Sequence, residues 1–424
     1  MIKWTEEQQM VRDAVRQFVE AEVATRRDEL EFGDTPPYEV LRKLYSTFGM
    51  DSMAADRFDR QIAFEKSVAE AIERGDEPPT KPEREGGGDG SITMIPIIEL
   101  CRHSPGLVTA LGVSTGLTAA AINAKGTIAQ KERWARDLLT LEKIGAWAIT
   151  EPNSGSDAFG SMKATARRDG DEYVLNGSKT FITNGPYADT IVFICKLDEG
   201  NAPEDRKVLS FVLDSGMPGL EQSKPLRKMG MHSSPTGELF LDDVRVGKDR
   251  LIGETEDVDK GGRDGAKATF LMERAGVAAM ALGMIERCLE LSVAYAKERA
   301  PFGKPLAANQ AIQFPLVELQ TQCEMLRTLI HKTAWIMDTQ GNWAASDKVS
   351  MCNYWANRLC CEAADRAIQV HGGLGYSRYK PFEHIYRHHR RYRITEGTEE
   401  IQMRRVAGYL FGFMKQSAPK GVVV

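Results

Sequence analysis

The chain has 424 residues, 42% of them apolar and 27% charged, and its 55 basic and 60 acidic side chains leave a formal charge of −5. At about 150 residues per domain, that predicts two or three domains with ample material for a buried core. The figures exclude a disordered, collagen-like or disulfide-scaffold protein, and the acidic balance argues against a nucleic-acid binder, which needs a net basic face. The seven cysteines, at 101, 195, 288, 323, 352, 360 and 361, are odd in number and include no C-x-x-C pair. They read as buried free thiols in a reducing compartment. Met1–Glu7 has neither the apolar core of a secretory signal nor the Arg/Ser-rich character of a transit peptide, and no run of about 18 apolar residues is evident. The expectation is a soluble, cytoplasmic protein without a membrane span.

In chain order, Thr5 and Gln8 form a capping box, and Met10, Val11, Val15, Phe18, Val19 and Val23 recur at helical spacing. Further helices are predicted at about 37–48 and 53–73. From Asp76 to Gly90 the composition turns to prolines, a Gly-Gly-Gly run and dense charge, which reads as a loop. Helical pattern resumes near Ile95 and continues to about Leu141. Between 147 and 250 the period switches to two. Asp169-Gly170 and Asn176-Gly177 are hairpin-type turn signals, with strands at 172–175, 189–195, 208–213 and 239–246. Long helices return at about 266–299, 312–338 and 344–370, with Pro315 in the first turn of the second, where proline is tolerated. The order is helices, sheet, helices, divided at 1–146, 147–260 and 261–424.

Three segments can carry chemistry. Trp147–Asp157 (WAITEPNSGSD) places small residues after a strand, so that backbone N–H groups reach a ligand, with Thr150 and Ser156 as hydroxyl donors. Lys179–Gly185 (KTFITNG) offers an aromatic face beside polar donors. Arg391–Thr398 (RYRITEGT) puts a carboxylate in a Gly-containing turn that opens a helix. Each alone also fits an ordinary turn or a helix-dipole partner.

Together and in this order, they resemble the acyl-CoA dehydrogenase family. The resemblance is strongest at Ala148–Gly160 and extends through Lys228–Met231, Glu298–Lys304 and Gln369–Tyr376. It implies a mostly helical α+β fold: an N-terminal helical domain, a middle β-barrel-like domain and a C-terminal four-helix bundle. It implies FAD, an acyl-CoA substrate, an electron-transferring flavoprotein as partner and a homotetramer. By the resemblance, Trp147, Ile149, Thr150, Gly155 and Ser156 line the flavin ring, and Phe181, Ile182 and Thr183 pack beside it. Arg299, near Phe302, reaches the pyrophosphate. Asn309, Gln310, Gln369, Gly372 and Gly373 contact the adenosine half, partly from a neighbouring subunit. Thr398 and Glu400 close the site, and Ser156, Leu271, Arg274 and Gly397 contact substrate. The implied reaction is α,β-dehydrogenation of a thioester, with Glu396 as the base that takes the α-proton and flavin N5 as hydride acceptor. Glu273 is the rival base, because relatives that act on long-chain and isovaleryl substrates carry theirs at that helix position. If both carboxyls face one cavity, at least one is protonated or turned away.

Three departures stand out. Thr395 replaces the usual aromatic residue before the base, which widens the cavity and makes it more polar. Acidic residues expected at Tyr379 and His388 are missing, and Arg387–Arg393 is unusually basic. That run could meet CoA phosphates, a partner subunit or, given a DNA-binding branch of the superfamily, nucleic acid. His384 and His388 have metal-ligand spacing without an evident third ligand and read as surface or interface residues. The stretch at about 51–92 is an addition, read as peripheral packing with a lid as the alternative. Competing functions are an acyl-CoA oxidase using dioxygen and a catalytically silent or nucleic-acid-associated homologue. Acyl length, branching and a steroid-type substrate stay open.

Overall fold

Capping decides where the chain's first helix begins: Thr5 and Gln8 close the reciprocal box, and α1 (Glu6–Phe18) runs on into a widened π turn at 19–23. The computed structural model describes residues 5–33, 35–80, 90–257 and 262–414, with backbone alone at 90–93, 262–270 and 272. Helices α2 (Arg27–Phe32) and α3 (Tyr38–Thr47) bury Leu30, Leu41 and Leu44 against Val15 and Val19. Helix α4 (Met50–Arg74) ends on left-handed Gly75. Its Phe58 and Ile62 pack on Trp134 and Leu138, and Glu65 pairs with Lys131 at 2.7 Å. Residues 51–74 are therefore peripheral packing. None of them lines the cavity described below. Residues 76–80 are irregular, and the rest of the expected 76–90 loop, 81–89, lies outside the described residues.

The helical pattern expected over 95–141 is present as a chain of short helices: α5 (Gly90–Cys101), α6 (Pro105–Leu111), a π stretch at 112–119, α7 (Ala120–Lys125), α8 (Ile128–Gln130) and α9 (Arg136–Leu139). Pro105 opens α6 at a position that needs no N–H donor, extended Gly126 stops α7, and a second Thr–Gln capping box at Thr127 and Gln130 restarts the helix. The run Pro105–Lys125, with a mean hydropathy of 1.5, is long and apolar enough to cross a membrane, which corrects the expectation that no such run exists. In this fold it is a core element. Leu107 and Ala110 are buried, and the Gly145 N–H donates to Ser114 Oγ at 2.8 Å.

That bond seats a curled seven-stranded sheet made of β1 (Gly145–Ala148), β2 (Thr165–Asp169), β3 (Glu172–Thr183), β4 (Thr190–Leu197), β5 (Val208–Asp214), β6 (Leu220–Gln222) and β7 (Thr236–Gly247). Central β4 carries β1 and β2 in succession on one edge, both parallel, and antiparallel β5 on the other. Asp169-Gly170 makes the expected hairpin, with Gly170 left-handed. Asn176-Gly177 is not a turn. Strand β3 runs through it with a bulge at Gly177, whose φ is +142° and where a Cβ would lie 2.7 Å from that of Ala164.

The remaining helices are α10 (Gly262–Glu298), α11 (Gln310–Gln340), α12 (Ser346–His371), α13 (Gly373–Tyr376), α14 (Phe382–Tyr392) and α15 (Glu399–Leu410). Leu282, Ile285 and Leu289 of α10 share one core with Leu319 and Leu326 of α11 and Leu359 and Ala363 of α12, and α15 packs on α12 as the fourth helix. Helices α10 and α12 run parallel. Asn353 Nδ2 donates to the Arg274 carbonyl near one end, and Tyr295 stacks on His371 near the other. All seven cysteines are buried and free.

A buried polar knot joins the three regions. Glu31 of α2 meets His388 Nε2 of α14 at 2.6 Å and accepts from Ser104 Oγ at 3.1 Å and from Ser233 Oγ, in the loop before β7, at 2.7 Å. Burial alone would raise the Glu31 carboxyl; charge and hydrogen bonding from His388 outweigh it and hold the group at about 2. His384 lies against His388, and both are buried, so they are interface residues and not surface ones. Among the described residues no group of three or more His, Cys, Asp or Glu is placed to hold a metal.

Candidate active site

A cavity of about 1520 Å³ opens between the sheet and the C-terminal helices. It exceeds the roughly 300–1,000 Å³ of a single small-ligand pocket, so it has room for two molecules. One wall is built from the end of β1 and the end of β3. The Thr180 N–H donates to the Thr150 carbonyl at 2.9 Å, and Lys179 Nζ reaches Glu151 at 2.8 Å and the Ile149 carbonyl at 3.1 Å. Glu151 in turn accepts from the N–H groups of Lys163 and Ala164. Burial lowers Lys179 despite its carboxylate partner. This pair fixes the two ligand-facing segments to each other. Sequence reasoning passed over it; the available signal was a lysine on an otherwise apolar strand face.

The wall brings together Trp147, Ile149, Thr150, Gly155, Ser156, Phe181, Ile182 and Thr183, all residues expected to line a flavin. Phe181 has a left-handed φ of +56° and keeps 66% of its surface exposed, presenting an unpartnered ring to the cavity. An apolar platform edged with hydroxyls and backbone amides suits a flat heteroaromatic ring with polar edges.

The opposite wall carries Glu273 and Arg274 of α10 with Thr395, Glu396, Gly397 and Thr398 of the turn before α15. Thr398 Oγ1 caps α15 by accepting from the Ile401 N–H. Glu396 has φ +60° and Gly397 φ +88°, so the base candidate occupies a backbone conformation that non-glycine residues rarely adopt. Two donors hold it there: Arg274 Nε at 2.7 Å and Gln402 Nε2 at 2.8 Å, both on the Glu396 carbonyl. Arg274, expected as a substrate contact, therefore also positions the turn.

Both carboxyls face the one cavity. Glu273 and Glu396 lie within hydrogen-bond reach of each other, and burial together with Glu396 pushes the Glu273 carboxyl well above the ordinary range. The shift favours the acid form of Glu273. The cavity is also cationic. Arg390 and Arg391 line it with Lys228, which burial and Arg391 bring down to about 7. The run Arg387–Arg393 does not form a basic outer face, since Arg387 pairs with Glu383, Arg393 with Glu399, and His388, His389 and Tyr392 are buried. Thr395 Oγ1 is buried without a partner, in keeping with a polar cavity there.

The other expected residues lie elsewhere. Leu271 is fully buried with Ile336 and Val349 and does not line the cavity; it lies on nearly the opposite side of the helix from Glu273, where α11 and α12 cover it. Glu400 is exposed on α15. Arg299, Phe302, Asn309, Gln310, Gln369, Gly372 and Gly373 are exposed at the far end of the bundle. From Arg274 to Arg299 the chain climbs α10 by about 37 Å at 1.5 Å per residue. No single ligand spans that distance within one chain.

Family models described as acyl-CoA dehydrogenase N-terminal, middle and C-terminal domains match residues 48–142, 146–244 and 260–411. A 3-(aryl)acrylate reductase of Clostridium sporogenes is 34% identical over 89% of this chain and 99% of its own. The caffeyl-CoA reductase–Etf complex subunit CarC of Acetobacterium woodii is 33% identical over 96% of this chain and 99% of its own. The butyryl-CoA dehydrogenase structure from Megasphaera elsdenii superposes with a TM-score of 0.80 at 30% identity, covering 97% of this chain and 100% of that one.

Proposed function

The chain belongs to the FAD-dependent acyl-CoA dehydrogenase family, and from that premise we propose that it interconverts a saturated CoA thioester and its trans-2-enoyl counterpart, with Glu396 as the α-proton base. The observation that carries this reading is the placement of Glu396 across a two-ligand cavity from the Thr150–Phe181 platform, its backbone gripped from two sides. Bound FAD supplies the hydride acceptor. Thr150, Ser156 and Thr183 would hold the ring's polar edge and Phe181 its neighbourhood. The Glu396 N–H would stabilise the developing negative charge on the thioester oxygen, and its carboxylate would take the proton from the α-carbon. Trp147, Ile149, Val113 and Leu117 keep water from that carbon.

The distal residues fit a second role. Arg299, Asn309, Gln369 and Gly372 would reach the pyrophosphate and adenosine of FAD held in a neighbouring subunit's cavity, which makes an oligomer part of the site. The homotetramer is our reading of that assembly, in a soluble cytoplasmic setting. As substrates we favour a short acyl or arylpropanoyl CoA, because Thr395 leaves room where a larger side chain would crowd the acyl group, and the relatives named for arylacrylates and butyryl-CoA bracket that size. As acceptor we favour an electron-transferring flavoprotein, as the Etf-complex relative's name suggests, over dioxygen.

The test is anaerobic mixing with butyryl-CoA and 3-phenylpropanoyl-CoA. Glu396→Gln is expected to retain yellow FAD and lose flavin reduction by about a thousandfold or more. Full turnover in that variant would end the assignment of the base. Fast reoxidation of the reduced enzyme by air would favour the oxidase.

A further inference from the structure

The family reaction needs one carboxylate. Of the four glutamates lining this cavity, Glu151 is paired with Lys179 and Glu238 accepts from Thr180 Oγ1, which leaves Glu273 and Glu396. Glu273 projects from α10 and Glu396 from the turn before α15, and their carboxyl groups are within hydrogen-bond reach. Glu273 Oε2 is sealed from solvent and has no partner. The charges around the pair are Arg274 beside Glu273 on α10 and Arg391 from α14, with Arg405 of α15 acting on Arg274. From α12 the neutral Asn353 amide donates to the Arg274 carbonyl, and apolar Val349 packs with Leu271 and Ala275. Neither arginine forms an ion pair with Glu273: Arg274 spends Nε on the Glu396 carbonyl, and Arg391 turns a guanidinium nitrogen to Met231 Sδ. Burial of the Glu273 carboxyl and the neighbouring Glu396 both favour the acid form of Glu273.

We propose that Glu273 and Glu396 work as one acid–carboxylate pair, in which Glu396 accepts the substrate's α-proton and Glu273, in its acid form, donates the hydrogen bond that aims and stabilises that carboxylate. Glu273 is on this view a positioning residue and not a second base. The inference rests on the proposed dehydrogenation. Before the reaction the pair holds one proton. The Cα–H bond breaks and its proton forms an O–H bond on Glu396, while the hydride leaves Cβ with its electron pair for FAD. The pair then holds two protons and is neutral, and one must leave before the next turnover.

The proposal separates amide from methyl at position 273. Glutamine keeps a neutral hydrogen-bond donor; alanine removes it. With whichever of butyryl-CoA and 3-phenylpropanoyl-CoA reduces the wild-type flavin, Glu273→Gln is expected to stay within about threefold of wild type, and Glu273→Ala to fall about tenfold or more. An alanine variant within twofold of wild type overturns the pair and leaves the proposed function standing. Loss of reduction in Glu273→Gln with retention in Glu396→Gln reverses the roles and overturns both. If neither thioester reduces wild-type flavin, the dehydrogenation fails and the pair's role with it. Should the alanine chain not accumulate as yellow protein, infrared difference spectra of wild type against Glu273→Gln decide: a protonated-carboxyl C=O band present at neutral pH and lost in the variant supports the pair, and no such difference overturns it.

Discussion

A left-handed glutamate costs about 1–2 kcal/mol relative to ordinary backbone, and Glu396 keeps that conformation because its carbonyl is held from α10 by Arg274 and from α15 by Gln402. Gln402 is fully buried and bonds the Gly397 carbonyl as well, at 3.2 Å. Gln402→Leu keeps the volume and removes both bonds. Expected are a loss of about 1 kcal/mol in stability, read by thermal melting, and a fall in flavin reduction of about tenfold, read by stopped flow, since a small displacement of the base costs more in rate than in stability. An unchanged rate would mean that Arg274 alone fixes the turn. At this scale the sequence showed Glu396 and Gly397, because Glu-Gly-Thr before a helix is local. It could not show the strained φ or the meeting with Glu273, which depend on how α10 crosses a turn 123 positions further on. Lys179 was hidden for the same reason: its partner Glu151 sits on the neighbouring segment.

Between elements, the same contrast separates what composition controls from what packing controls. The capping boxes at Thr5 and Thr127, the Asp169-Gly170 hairpin and the three long helices follow from residues within a few positions of each other. Asn176-Gly177 carries an equally good turn signal and becomes a bulge, because β7 continues to pair across it and Asn176 bonds Asp243 at 2.8 Å. Least legible was the knot of Glu31, His388, Ser104 and Ser233, whose members come from parts of the chain up to 357 positions apart. It makes a prediction about acid stability. The Glu31 carboxyl is depressed in the folded state from 4.5 to about 2, so its contribution is present above about pH 4.5 and lost as pH falls through about 2. Glu31→Ala leaves His388 and two hydroxyls buried without their acceptor and should cost about 3–5 kcal/mol at pH 7. The gap in melting temperature between wild type and Glu31→Gln should narrow steadily below about pH 4.5. A gap that is the same at pH 7 and pH 3 would remove the ion pair from the account of how α2 and α14 are joined.

Across the whole molecule, the residues expected to hold one dinucleotide fall into two sets, one lining the cavity and one exposed at the far end of α10, and the surface around the second is not that of a solitary chain. Helix α11 shows solvent Phe314, Val317, Met325 and Trp335, and Phe302 stands fully exposed beside Arg299. Large apolar side chains along one outer helix face mark a contact surface. If Arg299 serves a neighbour's cavity, Arg299→Glu damages only sites in other subunits, whereas Glu396→Gln damages only its own. Each variant alone is expected to be inactive, the first through lost FAD and the second through lost proton transfer. Co-assembled, they should regain activity. In a mixed pair, the cavity with intact Glu396 receives its Arg299 from the chain that still has one, so random mixing restores about a quarter of the wild-type sites. If Arg299 acts on its own chain's cavity, or on none, every cavity in the mixture still carries a defect or was never impaired by the arginine change, and co-assembly adds nothing beyond the average of the two parents. Flavin content and turnover of chains refolded together and apart distinguish these outcomes, and they do so without depending on which thioester is the natural substrate.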